Sequence, residues 1–215
     1  MYRTLVVVVL ATLLIGADEG GCGDSSDPVP LPLVECTPDS CTGCCQGTTC
    51  IAGTATSACG NSGVFCSACL GLTICNVERR ECEVDSAALI AIQPTQAVLS
   101  PRDPTDDSDW DLDGSVPDVV VELRCPNPGG EPLVTRTPEI SSLTPQWTTG
   151  GCSVSAELLL THPIEIKVFD IDTLFDDEVA TLSHTLTREE LKVGTISVSM
   201  SPAINSLTLT FTRAR

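Results

Sequence analysis

"IEIKVFDIDTLFDDEVA", residues Ile164–Ala180, decides the fold. Its first half alternates: Ile164, Ile166 and Val168 fall on one side of an extended chain, Glu165 and Lys167 on the other. That period of two is what a half-buried β-strand requires. Its second half is acidic, with five carboxylates in "FDIDTLFDDE" (Phe169–Glu178). An upstream stretch, "DPTDDSDWDLDGSVPD" (Asp103–Asp118), holds seven more, and neither stretch contains a Lys or Arg. Two unit charges ~4 Å apart interact by about 4 kcal/mol at an effective dielectric of ~20, so folding these stretches together calls for a counter-ion. Ca2+ is the natural one, a hard cation taking roughly 6–8 oxygen ligands.

On either side the chain keeps a strand-like texture from about Val84 onward. "AALIAI", "AVLS", "DVVVELRC", "SVSAELLL", "TISVSM" and "SLTLTFT" are short β-branched or alternating runs, most of them separated by Gly, Pro, Asn, Asp or Thr. In the last of these, Leu207, Leu209 and Phe211 share one face. Regular short strands with turn signals predict an all-β sandwich or barrel. The one helix predicted is "TREELK" (Thr187–Lys192), one or two turns long, with a Thr cap, a Glu three residues on and Gly194 beyond.

The residues from "ALIAIQPTQAVLSP" through "DWDLDGSVPDVVVEL", "LTPQW" and "SAELLLTHPIEIKVFDIDTLFDDEVA" resemble a C2 domain, an antiparallel β-sandwich that binds calcium and often phospholipid. The resemblance covers roughly Val84–Arg215, and its most specific piece is "VFDIDTLFDDEVA". It implies that the first and third loops meet at one end of the sandwich, which would unite the two acidic stretches. Carried over by position, the implied ligands are Asp111 and Asp118 from the first loop and Asp170, Asp172 and Asp177 from the third. Asp113 is an alternative to Asp111, and Asp176 competes with Asp177. The chain departs from the family in reading "PDVVV", without the usual aromatic after the first loop. A rival calcium reading takes "DWDLDG" (Asp109, Asp111, Asp113, Gly114) as the start of an EF-hand loop. Its twelfth position is Val120 rather than a Glu, and Pro117 obstructs a following helix.

The N-terminal third has a different chemistry. Arg3 precedes an apolar run, Leu5–Ile15, broken only by Thr12. It is shorter than the ~20 residues that span a bilayer and suits an export signal. "EGGC" then ends in Cys22 and a Pro-rich tether, residues 22–35, follows. The arrangement is similar to a bacterial lipoprotein signal: residues 1–21 would be removed and Cys22 lipid-modified, although Glu19 stands where an aliphatic residue is usual. The expected address is the outer membrane or cell surface, the alternative being a periplasmic or secreted protein. Removing residues 1–21 takes away Arg3, Asp18 and Glu19 and leaves 10 basic and 27 acidic residues, a net −17. Such a surface repels nucleic acid and anionic lipid.

Ten of the thirteen cysteines lie in residues 36–83, among Gly, Ser and Thr with few large hydrophobes. A segment of that size cannot bury an adequate core, so cross-links must substitute for one. Disulfides are expected in an exported chain; a zinc cluster on "CTGCC" and "CSAC" is the alternative. Similar cysteine-rich modules occur in other bacterial surface proteins, and a rigid spacer or a protein-binding knob both suit this one. Cys125 and Cys152 are expected to pair, joining a strand end to the next turn. Trp110, Trp147 and Phe175 read as core residues, and His162 and His184 as structural. Leu112, Val116, Leu174 and Phe175 are the apolar candidates for loop tips that touch lipid. Catalysis is not expected. There is no G-x-S-x-G, Walker or H-E-x-x-H motif, and only seven aromatics are present to line a sugar cleft beside Asp176 and Asp177. The sequence therefore points to an all-β, calcium-dependent binding protein whose partner is a protein, a glycan or lipid. A structural envelope protein and a hydrolase accessory subunit are the alternatives.

Overall fold

The computed structural model describes residues 35–111, 113–172 and 176–214. The signal-like segment, Cys22, the tether up to residue 34 and the tips Leu112, Leu174 and Phe175 lie outside the described residues.

Short hairpins make up the module. Strand β1 (Cys44–Gln46) pairs with β2 (Thr49–Ile51), β3 (Thr54–Ala55) with β4 (Ala58–Cys59), and β5 (Thr73–Asn76) with β6 (Glu81–Val84), all antiparallel. Two to four residues per strand bury little, and the cysteines take the place of a core. Five disulfides join Cys36–Cys45, Cys41–Cys50, Cys44–Cys66, Cys59–Cys75 and Cys69–Cys82. The two cysteine triplets whose sulfurs lie within 4.8 Å of one another, Cys36/Cys41/Cys45 and Cys59/Cys69/Cys75, are thus made wholly of disulfide sulfur, which displaces the zinc alternative.

Two packed antiparallel sheets follow. Their elements in chain order are β7 (Leu89–Leu99), β8 (Asp118–Cys125), β9 (Leu133–Arg136), β10 (Ile140–Ser141), β11 (Cys152–Ser155), α1 (Ala156–Thr161), β12 (Ile164–Asp170), β13 (Asp177–His184), α2 (Arg188–Val193), β14 (Thr195–Met200) and β15 (Ile204–Arg213). One sheet runs β10-β8-β12-β13 with β9 also on β8; the other runs β11-β7-β15-β14. Ile164, Ile166 and Val168 are fully buried as the alternation predicts, and so are Leu207, Leu209 and Phe211. They meet Ile90, Ile92, Val119, Val121, Leu123 and Trp147 in one core. Truncating Ile166 to Ala there would cost about 2–5 kcal/mol.

Three local features differ from the sequence reading. "ALIAIQPTQAVL" forms one strand, not two: a register shift opposite Thr208/Leu209 places Pro94 at a bulge, where its missing N–H leaves no gap in the ladder. "SAELLL" is not strand throughout, because Ser155 caps a helix at Leu158 N–H and Glu157 sits in its first turn. Cys125 and Cys152 are bonded, but they join β8 of one sheet to β11 of the other rather than a strand end to the next turn. The helix predicted at Thr187 is present, with a full capping box and Gly194 left-handed at its end (φ +77°).

The strand directions separate the two ends of the sandwich. Asp118 opens β8, Asp170 closes β12 and Asp177 opens β13, so all three sit at one end. The module joins at the other. β6 leads into Leu89 at the start of β7 and packs near α2, which follows the far end of β13, while Leu72 and Val84 enter the sandwich core. Seven residue steps along β8 separate the ends by roughly 25 Å.

Candidate metal centre at the loop tip

The site is assembled by register. Asp170 and Asp177 are directly opposed across β12 and β13, an arrangement of like charges that destabilises a sheet unless something answers it. Asp118 comes alongside through its backbone, whose N–H donates to Asp170 Oδ1 at 2.7 Å. Asp111 arrives on the loop before β8, where Gly114 (φ +79°) returns its N–H to the Asp111 carbonyl at 2.9 Å. This left-handed position suits glycine. Ser115 Oγ donates to Asp111 Oδ2 at 2.7 Å, and the Ser141 hydroxyl bonds Asp118 Oδ1.

Electrostatics show how close the five carboxylates stand. Asp170 is only 4% exposed. Burial raises its carboxyl from 3.8 to about 6 against the Asp118 N–H bond, and the negative charges of Asp111, Asp172 and Asp118 add to the rise. Asp172 lies at the surface, yet its carboxyl too is raised, by local desolvation and then by Asp111, Asp177 and Asp118. Each of the five sequence-implied ligands therefore feels or exerts the field of the others. Among the described residues none of them pairs with a Lys, Arg or His. No three of these carboxylates appear among the groups with donor atoms within 4.8 Å of one another.

The neighbouring acids differ in what each side chain touches. Asp113 turns away, accepting the Ser115 N–H at 3.0 Å, and bonds from Ser115 hold its carboxyl below the ordinary value. Asp176 lies 4.0 Å from the Arg136 guanidinium, and Asp109 lies 3.5 Å from Arg102. Asp111 and Asp177 have no such cationic neighbour among the described residues. The EF-hand reading fails because the loop runs into strand β8, with Val120 buried in it where a helix and a ligating Glu would be needed. A cavity of about 300 Å³ opens beside the tip, lined by Asp103, Trp110, Asp170, Asp177 and Glu178 among others. The hydroxyls of Ser115 and Ser141 carried no signal in the sequence.

The remaining sequence candidates have ordinary structural roles. Trp147 is buried, with its indole N–H on the Pro138 carbonyl at 2.8 Å, and Trp110 packs against the core with its N–H on Ser100. His184 contacts Glu190 at 3.0 Å in the α2 cap, and His162 lies beside Thr161. Val116 is exposed near the tip. Arg136 had no sequence signal. Its guanidinium donates to buried Glu122 at 2.8 Å and lies 5.0 Å over the Phe169 ring, just before the acidic loop.

No protein-family model matches the chain, and no curated protein matches it. Among solved structures it is similar to CC2D1B (13% identity, TM-score 0.44, covering 59% of this chain and 55% of that one). It is also similar to a structure described as a C2 domain (18%, TM-score 0.40, 58% and 98%). A third is the calcium-bound structure of the paired C2 domains of Extended-Synaptotagmin 2 (20%, TM-score 0.40, 59% and 46%). The chain spans about half the length of the first of these. The fold is an antiparallel β-sandwich behind a disulfide-rich module.

Proposed function

We propose that the chain is an exported surface protein, held to a membrane by lipid on Cys22, whose sandwich takes Ca2+ between its two acidic loops. The bound ion makes a contact with a protein, glycan or lipid partner, without catalysis. One observation carries the reading: Asp111, Asp118, Asp170, Asp172 and Asp177 share one end of the sandwich, uncompensated by any cation of the described residues. An all-carboxylate donor set suits a hard divalent ion. When bound, Ca2+ supplies positive charge at this tip; the chain's own part is to hold the carboxylates there. Six disulfides support an oxidising compartment, and among the described residues no helix is long and apolar enough to cross a membrane.

A thermal melt with calcium and with chelator tests the ion. Stabilisation by several degrees is expected, and the absence of any shift removes the proposal. The Asp118 N–H bond to Asp170, which already ties the two loops, favours a second reading in which calcium only rigidifies the tip. That reading prevails if calcium stabilises the protein but draws it to no liposome or cell-surface fraction. Mass spectrometry of the mature N-terminus decides anchoring, since an unmodified Cys22 would exclude it.

A further inference from the structure

The module carries a surface unlike the rest of the molecule. Thirty-eight consecutive residues, Ser40–Val77, contain no Asp, Glu, Lys, Arg or His, in a chain of net charge −18. Within them "VFCSACL" (Val64–Leu70) is fastened at two points, Cys66 to Cys44 and Cys69 to Cys82. Both of its cysteines point inward, while Val64, Phe65 and Leu70 are 52%, 75% and 76% exposed and Ser67 and Ala68 are exposed between them. Large apolar side chains displayed together on a cross-linked loop gain nothing for folding. Such a surface marks an interaction site, and rigidity lowers the ordering cost of using it.

Where the chain enters the module identifies the occupant. Cys36, the second described residue, is bonded to Cys45 with 5.6 Å between Cα atoms. Cys45 in turn bridges Phe65: its N–H donates to the Val64 carbonyl at 2.7 Å, and its carbonyl accepts the Cys66 N–H at 3.1 Å. The segment running back to Cys22 therefore leaves the fold about 10 Å from the exposed Phe65, given adjacent-strand spacing.

We propose that Val64–Leu70 is a membrane-seating finger that dips Val64, Phe65 and Leu70 into the interface of the bilayer to which the chain is tethered. This proposal takes its bilayer from the anchoring reading above and does not depend on calcium. A loop without charges of its own loses no ion hydration on entering a zwitterionic interface. A second copy, in contrast, would bring another net −17, the charge left after residues 1–21 are removed, against the first. Stable membrane attachment generally takes two signals, and the finger supplies one beside the lipid.

The test is flotation of the chain from residue 22 onward, bearing Cys22→Ser with its six disulfides intact, on phosphatidylcholine vesicles in chelator. The protein should float with the vesicles, and Phe65→Ser/Leu70→Ser should reduce the bound fraction at least tenfold, given ~1.5–3 kcal/mol for burying one large apolar side chain. Both proteins should melt at the same temperature in chelator, which shows that the variant is folded and keeps this test apart from the calcium reading. Failure of the parent protein to float overturns the proposal. So does equal flotation of the variant, or a sedimenting dimer of the parent that Phe65→Ser/Leu70→Ser abolishes.

Discussion

Asp170→Asn should change the protein's stability in opposite directions with and without calcium. The folded Asp170 carboxyl lies at about 6, above its ordinary 3.8. Its contribution to folding is therefore fully present below about pH 4 and is lost as pH rises through 6. At about 1.36 kcal/mol for each pKa step, the loss at neutral pH is at most about 3 kcal/mol. Solvent screening at the rim of a loop reduces that to about 1–2 kcal/mol. Asparagine has no charge to lose and keeps an oxygen for the Asp118 N–H. In chelator at pH 7.5 the variant should melt higher than the parent by about 3–6 °C, at ~2–4 °C per kcal/mol for a chain of this size. The gain should shrink toward zero at pH 4. In calcium at about a hundred times Kd the parent gains about 2.7 kcal/mol and should overtake the variant, which gains little. Differential scanning calorimetry across pH, with and without calcium, reads both effects. A variant less stable than the parent in chelator, or one that keeps the full calcium shift, would refute the reasoning.

Other consequences concern neighbouring groups. Asp111→Asn and Asp177→Asn should each abolish most of the calcium-dependent melting shift, whereas Asp113→Asn and Asp176→Asn, whose carboxylates turn toward Ser115 and Arg136, should keep it. Replacing Cys125 and Cys152 together by Ser should cost about 3–4 kcal/mol in denaturant unfolding, from the loop released between the sheets. Arg136→Ala leaves Glu122, 5% exposed, with only Arg124 at 3.5 Å, and should cost about 1–3 kcal/mol. Adding Glu122→Gln should recover much of that loss; no recovery would mean the cost lies in the lost stacking over Phe169. Thr187→Ala should cost about 1 kcal/mol by opening the α2 capping box, again read by denaturant unfolding.

The strand core was legible because its signal is local: Ile164, Ile166 and Val168 alternate against Glu165 and Lys167, and the burial follows that alternation residue by residue. The Thr187 helix was legible for the same reason, since a cap and a glycine stop lie within eight residues. The helix at Ala156 was missed although Ser155 and Glu157 announce it, because "ELLL" satisfies a buried strand as well as a buried helix turn. Long-range pairings left no local trace. Neither the five module disulfides nor the joining of opposite sheets by Cys125–Cys152 follows from cysteine spacing. The meeting of Asp111 with Asp172 across two loops entered only through the family resemblance. The contacts that distinguish neighbouring acids, such as Arg136 beside Asp176, lie forty residues apart in the sequence and leave no local signal.

Isothermal titration of the chelator-treated protein with Ca2+ bears most directly on the central claim, that the two acidic loops form one calcium site. Saturable binding is predicted, with Mg2+ weaker because it demands a tighter octahedral shell, and it should be lost in both Asp111→Asn and Asp170→Asn. Absence of saturable heat at millimolar calcium, or binding untouched by either substitution, would contradict the account.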